Sequence, residues 1–171
     1  MKIRLAGEIT TESIVDGEGI RTVVWTQGCR HNCKECHNPT THSFDGGFLK
    51  DVTELCEEIK NVPFQDGITL SGGDPLEQID ACLEIAKYCH SIGLNVWCYT
   101  GYTMEALLRR CENEENLREL LKNIDVLVDS PFIISLKSYN VPFRGSSNQR
   151  IIDSKKSVEE NKVCEVSKYK N

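Results

Sequence analysis

Three of the nine cysteines sit within eight residues, in the run Cys29-Arg30-His31-Asn32-Cys33-Lys34-Glu35-Cys36. The spacing is C-x3-C-x2-C. Three thiolates this close in sequence can fold around one metal centre, and a closed structural site usually wants a fourth protein ligand. Two arrangements stay open. His31, His37 or His42 completes a zinc site, or one iron of a 4Fe–4S cluster lacks a protein ligand and can bind a substrate or cofactor directly. Thiol redox chemistry at the Cys33–Cys36 pair is a weaker third reading. The other six cysteines, 56, 82, 89, 98, 111 and 164, are scattered and read as small packing residues.

A second constellation follows a strand-like run: Ser71-Gly72-Gly73-Asp74-Pro75. Two glycines let a ligand approach backbone N–H and C=O groups. As a plain turn the same residues start a helix, with Asp74 as cap and Pro75 at the first helical position. Thr100 and Ser130 stand at the ends of later strand-like runs, where ribose or carboxylate could bind. They serve equally well as turn residues. Residues 16–21 and 144–150 could meet a partner protein or be solvated loop. His31 and His42 read as ordinary loop histidines.

The elements that must position these residues alternate. Strand signals lie at residues 22–26, 67–71, 94–99, 125–129 and 149–153, with a short strand or hairpin within residues 1–20. A polar loop, residues 28–47, carries the cysteines. Helix signals begin after Asp51, with Glu54 three residues on. They recur around Leu76–Ala86, closed by Gly93, then at Met104–Leu108 after Thr103, and at Leu117–Leu121. Several strand runs are continuously apolar, as parallel strands covered by helices are. Eight βα units need about 250 residues. The expectation is therefore an α/β fold, a partial (βα) barrel of five or six βα units with parallel strands open on one side. One domain spans residues 1–171, with a charged, loosely held tail over 154–171.

The chain has 171 residues and a net charge of −6, from 20 basic and 26 acidic residues. No basic surplus recommends a nucleic-acid partner. No apolar stretch is long enough to span a membrane, and the N-terminus shows no signal peptide. The expectation is a cytoplasmic protein. An odd cysteine count without an export signal argues against a disulfide framework.

The pair C-x3-C-x2-C and SGGDP resembles the radical S-adenosylmethionine superfamily. That resemblance implies that Cys29, Cys33 and Cys36 ligate a 4Fe–4S cluster, that residues 72–75 (Gly72, Gly73, Asp74, Pro75) take the methionine amino group, and that backbone at Glu35, Cys36 and His37 faces the adenine. Thr100 is a further cofactor contact. Asp74 stands where superfamily members more often carry Glu. Further segments narrow the likeness: residues 13–21, Thr26-Gln27-Gly28-Cys29, Cys36-His37-Asn38-Pro39, Trp97-Cys98-Tyr99-Thr100-Gly101-Tyr102, Val128-Asp129-Ser130-Pro131-Phe132 and residues 143–150. They are similar to the activating proteins of anaerobic ribonucleoside-triphosphate reductase, in which SGGDP is a usual form. The implied reaction is reductive cleavage of S-adenosylmethionine to methionine and a 5′-deoxyadenosyl radical. That radical takes a hydrogen from a glycine of the partner reductase. Implied partners are the reductase and an electron donor such as flavodoxin or ferredoxin, in an anaerobic setting. Rival readings are activation of another glycyl radical enzyme, a small-molecule enzyme of the superfamily, and a non-enzymatic iron–sulfur or zinc module.

Overall fold

The strand-forming runs pair into one mixed sheet in the computed structural model, which describes residues 1–36 and 38–170. The strands are β1 (Lys2–Leu5), β2 (Thr10–Ser13), β3 (Arg21–Thr26), β4 (Phe48–Asp51), β5 (Gly67–Gly72), β6 (Asn95–Tyr99), β7 (Val126–Asp129) and β8 (Arg150–Asp153). Their order is β4-β1-β3-β5-β6-β7-β8, with β2 beside β3. Strands β3, β5, β6 and β7 run parallel. β1 is antiparallel to β3 and β4, and β8 is antiparallel to β7.

Among the described residues four α-helices lie between strands, α1 (Val52–Lys60), α2 (Ile79–Ser91), α3 (Met104–Arg110) and α4 (Glu115–Lys122), and α5 (Ser154–Glu160) follows β8. Asp51 caps α1 by accepting from the Thr53 and Glu54 amides, and Thr103 caps α3 through Ala106. Asp74 caps only a 3₁₀ turn, Pro75–Glu77, and α2 begins after Gln78. The helix expected from Leu76 is thus interrupted.

The architecture is α/β, but five or six βα units is a correction. Four parallel strands are linked by three helix-bearing crossovers. A parallel neighbour needs a crossover of a dozen or more residues, usually helical. Residues 130–149 carry only a 3₁₀ turn, Ile134–Leu136, so the chain returns antiparallel as β8. Strand β4 went unread, and β1 pairs with it rather than with β2. Among the described residues the sheet is open, ending at β4 and β8. Residues 154–170 follow β8. Their first turns form α5, burying Ser154, Ser157 and Val158, and Tyr169 packs edge-on against Phe143 at 5.9 Å.

Side chains alternate across the sheet. Val24, Leu70, Val96, Cys98 and Leu127 face the helices in one large apolar core with Leu55, Ile85, Leu107 and Leu120. Trp97, Val128 and Ile151 form a smaller cluster on the other face, with Tyr99, Phe143 and Tyr169 against them. Both faces are covered, hence the continuous apolar runs. Only one is covered by helices. The other also buries Arg21 completely. The Arg21 guanidinium donates to Thr69 Oγ1 at 2.8 Å, Glu18 O at 2.8 Å and Ile68 O at 2.6 Å. Burial lowers its pKa to about 10.

Candidate functional site

The cysteine loop leaves β3 at the same end at which the glycine turn leaves β5, because the two strands are parallel and in register from Arg21↔Gly67 to Thr26↔Gly72. Two backbone hydrogen bonds lock the exits together. The Gly73 amide donates to Thr26 O at 2.8 Å, and the Asp74 amide donates to Gly28 O at 2.8 Å. The far side of the loop is pinned by the Gly28 amide on Thr41 O and the Cys29 amide on His42 O. Gly73 sits so close that a Cβ there would lie 2.4 Å from Gly28 O and 2.8 Å from Thr41 O. Gly72, at φ +102°, has the same relation to Thr26 O, at 2.4 Å. These glycines let two backbone segments meet. The Gly73 and Asp74 amides are spent on that junction, so the polar groups these two residues can still offer a ligand from the backbone are carbonyls.

Cys29, Cys33 and Cys36 are half-buried, whereas Cys56, Cys82, Cys89, Cys98 and Cys111 are buried. Burial pushes the Cys29 thiol up, and the His31 and Asn32 amides, hydrogen-bonded to it, pull it back. Burial likewise raises Cys33, opposed by the Phe132 amide. The Asn38 amide donates to Cys36 Sγ at 3.4 Å. Among the described residues no three His, Cys, Asp or Glu side chains converge as a single ion requires. Three thiols on one loop, each met by a backbone N–H, have the chemistry that an iron–sulfur cluster would take as its donors. The residues fit such a group. Burial pushes Cys56 up to about 11, and Cys82 and Cys89 each to about 12, so these thiols stay protonated packing residues.

A cavity of about 540 Å³ opens beside the junction on the sheet face away from the helices. Trp25, Ser71 and Tyr99 line it from three parallel strands, Asn38 from the cysteine loop, and Phe132, Phe143, Arg144 and Gln149 from the irregular segment. A ligand-sized hollow at strand C-termini is where open α/β sheets bind. A second cavity, about 480 Å³ and lined by Glu8, Ile9, Glu58 and Val62, lies away from these strand ends.

The structure brings Cys29, Cys33, Cys36, Gly72, Gly73, Asp74, Pro75 and Thr100 to one end of the sheet. Glu35 is exposed in that loop at φ +56°, and His37 lies outside the described residues. Thr100 Oγ1 bonds both Asp74 oxygens, at 3.1 and 2.9 Å, and accepts from the Tyr102 amide. Ser130 holds φ +79°, its hydroxyl on Asp129 and its carbonyl accepting from Gln149 Nε2. Residues 144–150 knit their own loop, with Gln149 Oε1 accepting from the Gly145 and Ser146 amides, while Arg150 bonds Asp129 and Glu105. Sequence reasoning missed one cluster. His31 Nε2 lies 2.7 Å from Asp74 Oδ2, and its ring meets Tyr102 edge-on at 4.5 Å. Arg30 pairs with Glu77, which also accepts from the Tyr102 hydroxyl at 2.5 Å. No local pattern signals contacts across more than forty residues.

A loop of three thiols, a glycine turn and a hollow lie at one end of an open α/β sheet, and the class of protein is that of the iron–sulfur proteins. Residues 15–152 match a family model described as a 4Fe-4S single cluster domain. An anaerobic ribonucleoside-triphosphate reductase-activating protein of Haemophilus influenzae is 33% identical over 148 residues, covering 81% of this chain and 90% of that protein. Proteins of the same name from Vibrio cholerae and Enterobacteria phage T4 are each 32% identical, covering 81% and 80% of this chain and 90% and 86% of theirs. A solved structure, QueE from Escherichia coli, gives a TM-score of 0.49 at 15% identity over 60% of this chain and 54% of that one. A likeness of that degree leaves the fold to rest on the chain's own topology. The chain belongs to the family of anaerobic ribonucleoside-triphosphate reductase-activating proteins. Among the described residues no helix is long and apolar enough to cross a membrane.

Proposed function

We propose that this protein activates an anaerobic ribonucleoside-triphosphate reductase by generating a glycyl radical on it, using S-adenosylmethionine and a 4Fe–4S cluster. The observation that carries this reading is the hydrogen-bonded junction between Gly28 and Asp74, which joins the three-thiol loop to the glycine turn at the strand ends, where Asn38 and Ser71 line a cavity. Cys29, Cys33 and Cys36 would hold the cluster. When bound, it supplies one electron to the sulfonium of S-adenosylmethionine. Carbonyls of the turn at residues 72–75 would accept from the methionine amino group, and backbone at Glu35 and Cys36, with Thr100, would border the remainder of the cofactor. Trp25, Tyr99 and Phe132, which line the cavity, would keep water from the reaction.

The sheet serves as a partial (βα) barrel with one uncovered side. Val15 and Tyr139 line the cavity and are 70% and 88% exposed, an apolar rim that a protein substrate can cover. A macromolecule inserting a glycine loop would cover that rim. The electron donor is a flavodoxin or ferredoxin, and the protein works in the anaerobic cytoplasm, without nucleic acid or membrane. The test is electron paramagnetic resonance. The reductase should acquire a doublet that requires this protein, S-adenosylmethionine and a strong reductant without oxygen. The doublet should vanish when the reductase's target glycine becomes alanine. Productive cofactor cleavage with a small molecule alone, never marking the reductase, overturns the proposal.

A further inference from the structure

We propose that Asp74 acts as a positioning residue, its carboxylate clasping the cysteine loop, through His31, to the glycine turn and the end of β6. The inference rests on the reading of these segments as cluster loop and cofactor turn. Asp74 is 1% exposed. Its Oδ1 accepts from the Leu76 amide at 3.0 Å and from Thr100 Oγ1; its Oδ2 accepts from the Gly101 amide at 3.0 Å and from His31 Nε2 at 2.7 Å. The Leu76 and Gly101 amides and the Thr100 hydroxyl all donate to this side chain, so its oxygens act as acceptors and His31 Nε2 carries the hydrogen of the remaining contact. Four protein donors occupy the side chain, and none is left for a ligand to replace without opening the site.

The four donors come from three walls. Leu76 belongs to the turn after β5, Thr100 and Gly101 to the end of β6, and His31 to the stretch between the first two cysteines. His31 reaches Asp74 because residue 101 has no Cβ: one there would stand 2.6 Å from the imidazole. The ring is held from the other side by Tyr102. A buried carboxylate with charge-assisted bonds to three segments fixes their relative positions more tightly than neutral contacts do. The distance it fixes is that between the thiolate loop and the carbonyls of residues 72–75. The clasp therefore sets how the cofactor sits relative to the metal.

The experiment uses the full chain with its cluster reconstituted anaerobically. Iron content, equilibrium binding of S-adenosylmethionine, and the change that the cofactor makes in the resonance of the reduced cluster are measured together. His31→Phe keeps a ring against Tyr102 but removes the N–H. It should retain the parent's iron, bind the cofactor about tenfold more weakly, the loss of one charge-assisted bond, and show an altered spectrum even at saturating cofactor. His31→Gln keeps an N–H at similar reach and should return to within about threefold of the parent. Parental affinity and spectrum in His31→Phe overturn the clasp, as does an equal loss in His31→Gln. A parent protein that takes up no iron, or binds no cofactor when loaded, defeats the underlying reading instead.

Discussion

The two faces of the central sheet are built from the same strands and do opposite work. Val24, Leu70 and Cys98 turn toward the helices and are fully buried among apolar side chains. Their neighbours Trp25, Ser71 and Tyr99 turn the other way and line the cavity. The helix face is closed by α1, α2, α3, α4 and α5, and its driving force is apolar burial. The second face is covered by loops and the tail. It carries a buried arginine paired with neutral acceptors, a tyrosine whose hydroxyl donates to Phe143 O at 2.6 Å, and a hollow. One residue of offset along a strand separates stability from chemistry. Substitutions should sort the same way.

The largest contrast lies among the cysteines. Changing Cys29, Cys33 or Cys36 singly to Ala should abolish the reconstituted cluster, measured as iron and sulfide per chain. Changing Cys56, Cys82, Cys89, Cys111 or Cys164 should leave that content at the parent's level. A helix-face cysteine as necessary as the loop three would break the division of faces.

Gly73 tests the junction. An added Cβ collides with Gly28 O and Thr41 O, which hold the cysteine loop. Gly73→Ala should therefore lower iron content and cofactor binding together. Full iron content with weakened binding would show that the turn moves independently of the loop.

Ile85 marks the opposite pole. It is fully buried on α2 against the helix face. Ile85→Ala should cost about 3 kcal/mol of unfolding free energy in denaturant titration, the usual range for a truncated core aliphatic. Cofactor affinity should stay within about twofold of the parent, since a core truncation far from charged contacts adds little coupling to the site. A parallel fall in affinity would mean that the faces are not separable.

Much of this was legible in residue order. The parallel strands and the four helices of the interior announced themselves by apolar runs, Asp51 and Thr103 caps, and the Gly93 stop. The cysteine loop and SGGDP were visible as chemistry. What stayed hidden depends on long-range pairing. β4 has the pattern Phe48-Leu49-Lys50-Asp51, half exposed and without clean alternation, so nothing local marks it as a strand. β8 reads as a strand, but its direction is set by the lack of a helix before it. The tail's charges suggested solvent, while Ser154, Ser157 and Val158 fall on one helical face that packs on α4. The His31–Asp74 bond spans 43 residues, and no spacing rule reaches that far.

The smallest expected effect belongs to the tail's hold on the second face. Glu18, in the loop before β3, pairs with the Lys168 ammonium and accepts from the Tyr169 hydroxyl at 2.8 Å. The Lys168 hydrogen bond, then the Tyr169 hydroxyl, hold the Glu18 carboxyl below the ordinary glutamate value. A depressed carboxylate pKa contributes stability that is fully present above the ordinary value and is lost as pH falls through the folded one. The groups are largely exposed, so the contribution is less than about 1 kcal/mol and shrinks with salt. Glu18→Gln should lower the melting temperature slightly at neutral pH, and the gap to the parent should close as the pH is taken below the glutamate range. Because Tyr169 also packs on Phe143 at the cavity wall, the same variant at neutral pH should leave iron content unchanged and shift cofactor affinity by less than about twofold, consistent with the small coupling of a screened surface pair. A gap that persists at low pH would mean that Glu18 holds the tail by shape rather than by charge.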